Sequence, residues 1–201
     1  MPLAHPLRCR CGKLQGHVDR PGMALRGRCY CKDCQAFARF LGRADSLLDE
    51  HAGTSIVAIR PSQLHLTQGV DALACMSLSE HGILRWYASC CNTPVGNTPR
   101  DVRTHYLGLI ESCLAGGPQA VEQSFGPVRI VLNTDAAVGQ VKATGVASNV
   151  VNLARLMRSM LGARLSGAWK RNPLFDPATR TSVVPPRVLT PDERERLAHA
   201  A

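Results

Sequence analysis

Five cysteines fall within 26 positions near the start of the chain, as Cys9-Arg10-Cys11-Gly12 and Cys29-Tyr30-Cys31-Lys32-Asp33-Cys34. A tetrahedral zinc site needs three or four thiolates about 2.3 Å from the ion, and Cys-x-Cys or Cys-x-x-Cys turns deliver two of them from one loop. Gly12 suits such a loop, which often needs a positive φ. A third element, Trp86-Tyr87-Ala88-Ser89-Cys90-Cys91-Asn92-Thr93-Pro94, lies far along the chain. The candidate ligands are then Cys9, Cys11, Cys29, Cys31, Cys34, Cys90 and Cys91, which divide into one four-thiolate and one three-thiolate site, for one or two zinc ions. A saturated site is structural, whereas three ligands leave a position open for water, a substrate thiol or a carbonyl. Adjacent side chains of an extended strand point to opposite faces. Either a turn brings Cys90 and Cys91 to one ion, or each serves a different one.

The setting decides how such cysteines are read. MPLAHPLRCRCG has no secretory apolar stretch, and no segment approaches the ~18 apolar residues that span a bilayer. The expectation is a cytoplasmic protein, where thiols stay reduced and nine cysteines do not form a disulfide framework. The net charge of +9 favours anionic partners. However, the arginines are scattered, and a zinc with four thiolates is formally −2, so two such centres cancel about four charges. With aromatic residues at 4% and no recognised motif, nucleic acid is not an expected partner.

The pattern along the chain predicts a mainly β fold. Leu7, Cys9 and Cys11 alternate with arginines, and strand-like runs follow at 55–60, 63–67, 73–78 and 83–87, broken at Pro21-Gly22, Pro61-Ser62, Gly69 and His81-Gly82. A helix beginning at Asp33, with Phe37, Phe40 and Leu41 facing a core, puts the 29–34 cysteines at a strand-to-helix junction. Residues 1–110 read as a zinc-binding β domain and 111–201 as an appended α-helical C-terminal extension packed on it. Across the boundary, in a mixed stretch from Arg103 to Leu132, strand-like 105–110 and 128–132 flank a Gly116-Gly117-Pro118 turn. A helix follows over about 148–165, capped by Ser148 or Asn149, with Val150, Leu153, Met157 and Leu161 towards a core. Its other face carries Arg155, Arg158 and Arg164, read as a solvated face or an anion-binding one. An extended proline-rich tail ends in a short polar helix near 192–199.

The order Cys-x-Cys-Gly, then Cys-x-Cys-x-x-Cys, then a distal cysteine element ending Cys91-Asn92-Thr93-Pro94 resembles the glutathione-dependent formaldehyde-activating family, related to the centromere-protein-V domain, over about residues 7–99. The resemblance implies an antiparallel β-tent with a structural zinc shared by the Cys-x-Cys pair and the distal cysteines, and a second, more open zinc on the central three. It also implies a carbon–sulfur lyase acting on a glutathione–formaldehyde adduct. This chain departs from the pattern at Ala88, where the family carries the first distal cysteine, while Cys90 lies two places later.

Other residues are weaker signals. Arg8, Arg10, Arg28 and Lys32 interleave with the cysteines, and either favour thiolates or fill solvent-facing strand positions. His51, in the polar turn Asp49-Glu50-His51, is a candidate acid–base group, and His105 beside Arg103 a lesser one. Cys75 and Cys113 read as buried apolar residues. Asn92, Thr93, Asn97 and Thr98 read as turn residues or as supports for the distal ligands. No phosphate loop, serine elbow or zincin motif is present. Two functions follow: a lyase acting on a thiol adduct, glutathione or another small anionic thiol at the three-cysteine zinc, or a non-catalytic zinc-stabilised module that recognises a partner through its basic surface or C-terminal helix. A redox thiol protein is a third reading.

Overall fold

The first strand, β1 (Ala4–Arg8), buries His5 and Leu7 and exposes the residues between them, the period of two that a half-buried strand imposes. In the computed structural model, which describes residues 3–199 and the backbone alone at 146–149 and 199, two sheets form. β1 pairs with β2 (Gln15–Asp19), and β2 with β5 (Leu64–Gln68), in a three-stranded antiparallel sheet. The larger sheet runs β10 (Val128–Leu132), β3 (Leu25–Cys29), β4 (Thr54–Ile59), β9 (Leu107–Ile110), β8 (Thr93–Thr98), β7 (Leu84–Ala88), β6 (Leu73–Ser77), β11 (Arg187–Val188).

The six inner strands of that sheet are antiparallel. Its two outer pairs, β10 with β3 and β11 with β6, are parallel. Both outer strands come from the segment after residue 110. A strand returning from far along the chain is freed from hairpin geometry and can pair in parallel.

Apolar residues in and beside both sheets meet in one core around Leu7, Leu14, Val57, Trp86, Val95, Leu107 and Leu109. Trp86 donates its Nε1–H to Thr98 Oγ1 at 2.9 Å, which makes a fully buried indole affordable. The tail enters the same core: Leu174 and Phe175 are buried, and the Phe175 ring meets Trp86 edge-on at 6.2 Å. A second core joins helix α1 (Lys32–Phe40) to the C-terminal helix, through Phe37, Leu41, Met76, Leu78 and Leu189, with Leu197 packed against it.

Between α1 and the C-terminal helix lie α2 (Ala44–Leu47), α3 (Gly117–Phe125) and α4 (Val146–Leu165), and the last, α5, spans Pro191–His199. The Gly116-Gly117-Pro118 turn proves to be the start of α3, with Gly116 at φ +88° and Pro118 in the first turn, a position where its missing N–H costs nothing. α4 begins earlier than expected and its N-cap is Gly145, so neither Ser148 nor Asn149 fills that position.

The expected core face of α4 is overturned. Val150, Leu153, Met157 and Leu161 are each more than half exposed, whereas Asn152 and Ala163 are buried. Periodicity shows that a helix has an apolar stripe and not what covers it. Among the described residues no helix is long and apolar enough to cross a membrane.

Candidate metal centres

The turn 9–14 folds back on itself: Gly12 N–H donates to the Cys9 carbonyl and Cys9 N–H to that of Leu14. Gly12 takes φ +80°, where a side chain would be strained. Leu14 N–H also donates to Cys9 Sγ at 3.2 Å. Opposite, the turn 89–92 joins β7 to β8. Cys91 N–H donates to the Ala88 carbonyl across it, and Asn92 at φ +52° closes it.

These two turns bring Cys9, Cys11, Cys90 and Cys91 together. Cys11 and Cys90 Sγ are 3.3 Å apart, Cys9 and Cys11 3.5 Å, and both Cys9–Cys90 and Cys90–Cys91 3.8 Å. A tetrahedron with 2.3 Å metal–sulfur bonds has edges of about 3.8 Å, so the four thiols fit one ion. Cys90 and Cys91 are therefore adjacent in a turn, and not on opposite faces of a strand. Ala88, where the resembled family has a cysteine, is the last residue of β7 and fully buried.

Thr93 supports this group. It accepts from Arg10 N–H at 3.0 Å, which leaves its hydroxyl hydrogen for Cys91 Sγ, 3.1 Å away. Burial opposes ionisation of Cys91, but Thr93 and the neighbouring cysteines outweigh it and hold the thiol down at about 6. Asn97 and Thr98 serve the core instead: Asn97 accepts from Arg85 and Thr98 from Trp86. Asn92 donates to the Leu41 carbonyl.

Cys29, Cys31 and Cys34 form a second group, at the end of β3 and the start of α1. Cys31 is the N-cap of α1 and its Sγ accepts from Cys34 N–H at 3.4 Å. The positive end of the helix thus faces the thiols and favours their ionised form. Hydrogen bonds from Cys31 and then Cys34 hold Cys29 far below the ordinary thiol range, and both partners are pushed up in turn. Asn133, just after β10, donates its amide to Cys29 Sγ at 3.2 Å. Among the described residues no fourth cysteine, histidine or carboxylate joins these three.

Tyr106 is pushed up to about 12, by burial first and then by the charges of Cys34 and Cys29. Neither Asn133 nor Tyr106 carried a sequence signal, since each reaches the site only through strand pairing. His51 is held elsewhere. Its Nδ1 faces the Val138 carbonyl at 2.8 Å, so it must be the donor, and it is not grouped with the thiols. His105 is buried against Ser62. Arg8, Arg10 and Lys32 are exposed, and Arg28 pairs with Asp49 at 3.2 Å. Cys75 and Cys113 are buried, and burial pushes both thiols to about 12.

A third group, missed in the sequence because His65 lies on β5 and its partners on β2, is His17, Asp19 and His65. The imidazoles face each other across the β2–β5 pair at 4.9 Å, and Asp19 lies 3.4 Å from His17 and 3.1 Å from His65.

A family model described as a family of unknown function, DUF6151, matches residues 1–183. The chain is also similar to a crystallised protein of Rhodobacter sphaeroides, with 19% sequence identity, a TM-score of 0.43 and coverage of 64% of this chain and 99% of that one. No curated protein matches.

Proposed function

We propose, for a chain that belongs to the DUF6151 family, that it is a zinc protein with one structural and one reactive centre, the latter acting on a thiol adduct as a carbon–sulfur lyase. The observation that carries the reading is the place of Cys90. It sits with Cys9, Cys11 and Cys91, which leaves Cys29, Cys31 and Cys34 as a three-thiol set. An all-sulfur tetrahedral donor set suits zinc.

Bound there, zinc supplies a Lewis acid that favours a thiolate or polarises an oxygen. The chain does the rest. Cys29, Cys31 and Cys34 would hold the ion, Asn133 fixes Cys29 by its amide, and the α1 N-terminus offsets the thiolates' negative charge. Tyr106 is kept protonated by burial and by the field of Cys34 and Cys29. With a hydroxymethyl thioether as substrate, the C–S bond breaks, the hydroxyl becomes the carbonyl of formaldehyde and its proton passes to the departing sulfur. Glutathione is the thiol that the family resemblance suggests.

The non-catalytic reading draws on burial. Cys29 and Cys34 are each 7% exposed, so a ligand would have to approach past Cys31. Turnover of the glutathione–formaldehyde adduct by the zinc-loaded chain, abolished in Cys31→Ser, is the expected result. No turnover by the zinc-loaded wild type selects the non-catalytic module.

A further inference from the structure

On the side of α4 that faces the body, arginines gather without carboxylates. A groove of about 420 Å³ between α4, the residues after β4 and the turn 168–171 is lined by Arg60, Arg155, Arg158 and Arg171 together with Ser62, Ser159 and Ser166. It adjoins a more enclosed cavity of about 280 Å³, with which it shares Arg60, Arg155 and Ser159. There the walls turn apolar, with Leu25, Ile59, Phe125 and Leu156, while Arg129 adds a fifth guanidinium. Neither hollow has an aspartate or glutamate in its lining.

Five arginines elsewhere pair with carboxylates: Arg26 with Glu111, Arg28 with Asp49, Arg85 with Asp33, Arg103 with Asp101 and Arg187 with Glu193. None of the five groove arginines pairs with a carboxylate among the described residues. Guanidinium groups stay charged at any pH the protein meets, so gathering five of them costs repulsion that an anion would relieve. Arg60 is already oriented, donating its Nε–H to Ser159 Oγ on α4 at 2.8 Å. His105, 2% exposed, lines the cavity, touches Ser62 through Nε2, and has no partner for Nδ1 among the described residues.

We propose that this double hollow binds a small organic phosphate, its phosphoryl group held by Arg60, Arg155, Arg158 and Arg171 and its apolar body seated in the cavity beside Ile59, Phe125 and Leu156. Four guanidiniums match a dianion better than a single carboxylate, and their planar forks match phosphoryl oxygens. The apolar end is a pocket and not a continuing basic stripe, which fits a small molecule better than a nucleic-acid backbone.

Calorimetry on the full chain tests this with phenyl phosphate and inorganic phosphate at one ionic strength. Phenyl phosphate should bind at one per chain and at least about tenfold tighter than phosphate, the return for burying the ring. Arg155→Gln/Arg158→Gln, at two exposed positions where the fold is not at stake, should weaken both by about tenfold or more. Leu156→Trp should remove only the advantage of the phenyl group. Equal affinity for the two ligands, unchanged binding in the double arginine variant, or equally tight binding of a short DNA duplex that the same variants weaken would each overturn the proposal.

Discussion

The Sγ atoms of Cys11 and Cys90 stand 3.3 Å apart although 79 residues separate them in the chain. The contact ties the N-terminal turn to the β7–β8 hairpin, and so joins the edge of the small sheet to the large one. An ion there would add a crosslink to elements that already meet through the core, the Arg10–Thr93 hydrogen bond and the Lys13–Asp71 ion pair.

Cys90→Ser should therefore behave like Cys11→Ser. Each should reduce bound zinc from about two ions per chain to about one and cost several kcal/mol, because ion binding is coupled to folding. The double variant should cost little more than either single one, as residues sharing one site are not additive. Metal content by emission spectroscopy and thermal melts check this; a Cys90→Ser chain that retains two zincs would place Cys90 outside the site.

Cys31→Ser separates function from folding. Serine is a good N-cap, so α1 should persist, with only a small fall in Tm, while the second zinc and the proposed turnover are lost. Retention of turnover would show that this centre is not where the chemistry occurs.

The distal cysteines also show what can be read from a sequence. The grouping of five cysteines was legible because Cys-x-Cys and Cys-x-x-Cys are local patterns. The partition of Cys90 was not, since it depends on a four-residue turn that places neighbours on one side, a geometry set by Asn92 at φ +52°. The strands at 54–59, 64–68 and 73–77 were visible in their hydrophobic patterns. The parallel edges β10 and β11 were not, because pairing between distant segments leaves no local trace. Asn133 beside Cys29, and His17 opposite His65, were hidden for the same reason.

The stripe of α4 gives a direct test of that limit. Leu153→Ser and Met157→Ser, at positions 55% exposed, should each change stability by no more than about 0.5 kcal/mol. Truncation of a core helix at those positions would cost about 2–5 kcal/mol. Urea unfolding of the two variants distinguishes the cases.

Arg26 and Glu111 form an ion pair at 3.1 Å, with side chains 8% and 18% exposed, and Arg26 also donates to the Gly126 carbonyl. Removing one partner strands a buried charge, so Glu111→Gln should cost about 3–5 kcal/mol. Arg26→Met in the same chain should restore much of that loss. Equal losses in the single and double variants would mean that the pair is not what holds β3 to this region.

Burial, followed by the charges of Arg60 and Arg171, lowers His105 to about 4, from about 6.5 in an unfolded chain. Between those values the unfolded state binds more protons than the folded one. The stability from keeping His105 neutral is complete above about pH 6.5 and is lost as pH falls towards 4. Stability measured over this window should fall with acidification, and His105→Gln should flatten that slope. An unaltered slope would assign it to other groups.

The central claim, two zinc ions of which one keeps an open position, is tested most directly by zinc K-edge X-ray absorption on the full-length chain. Seven sulfurs shared by two ions should appear as about 3.5 sulfurs per zinc at about 2.3 Å, with the remainder a nitrogen or oxygen near 2.0–2.1 Å. Four sulfurs around every zinc, or a single ion per chain, would contradict it.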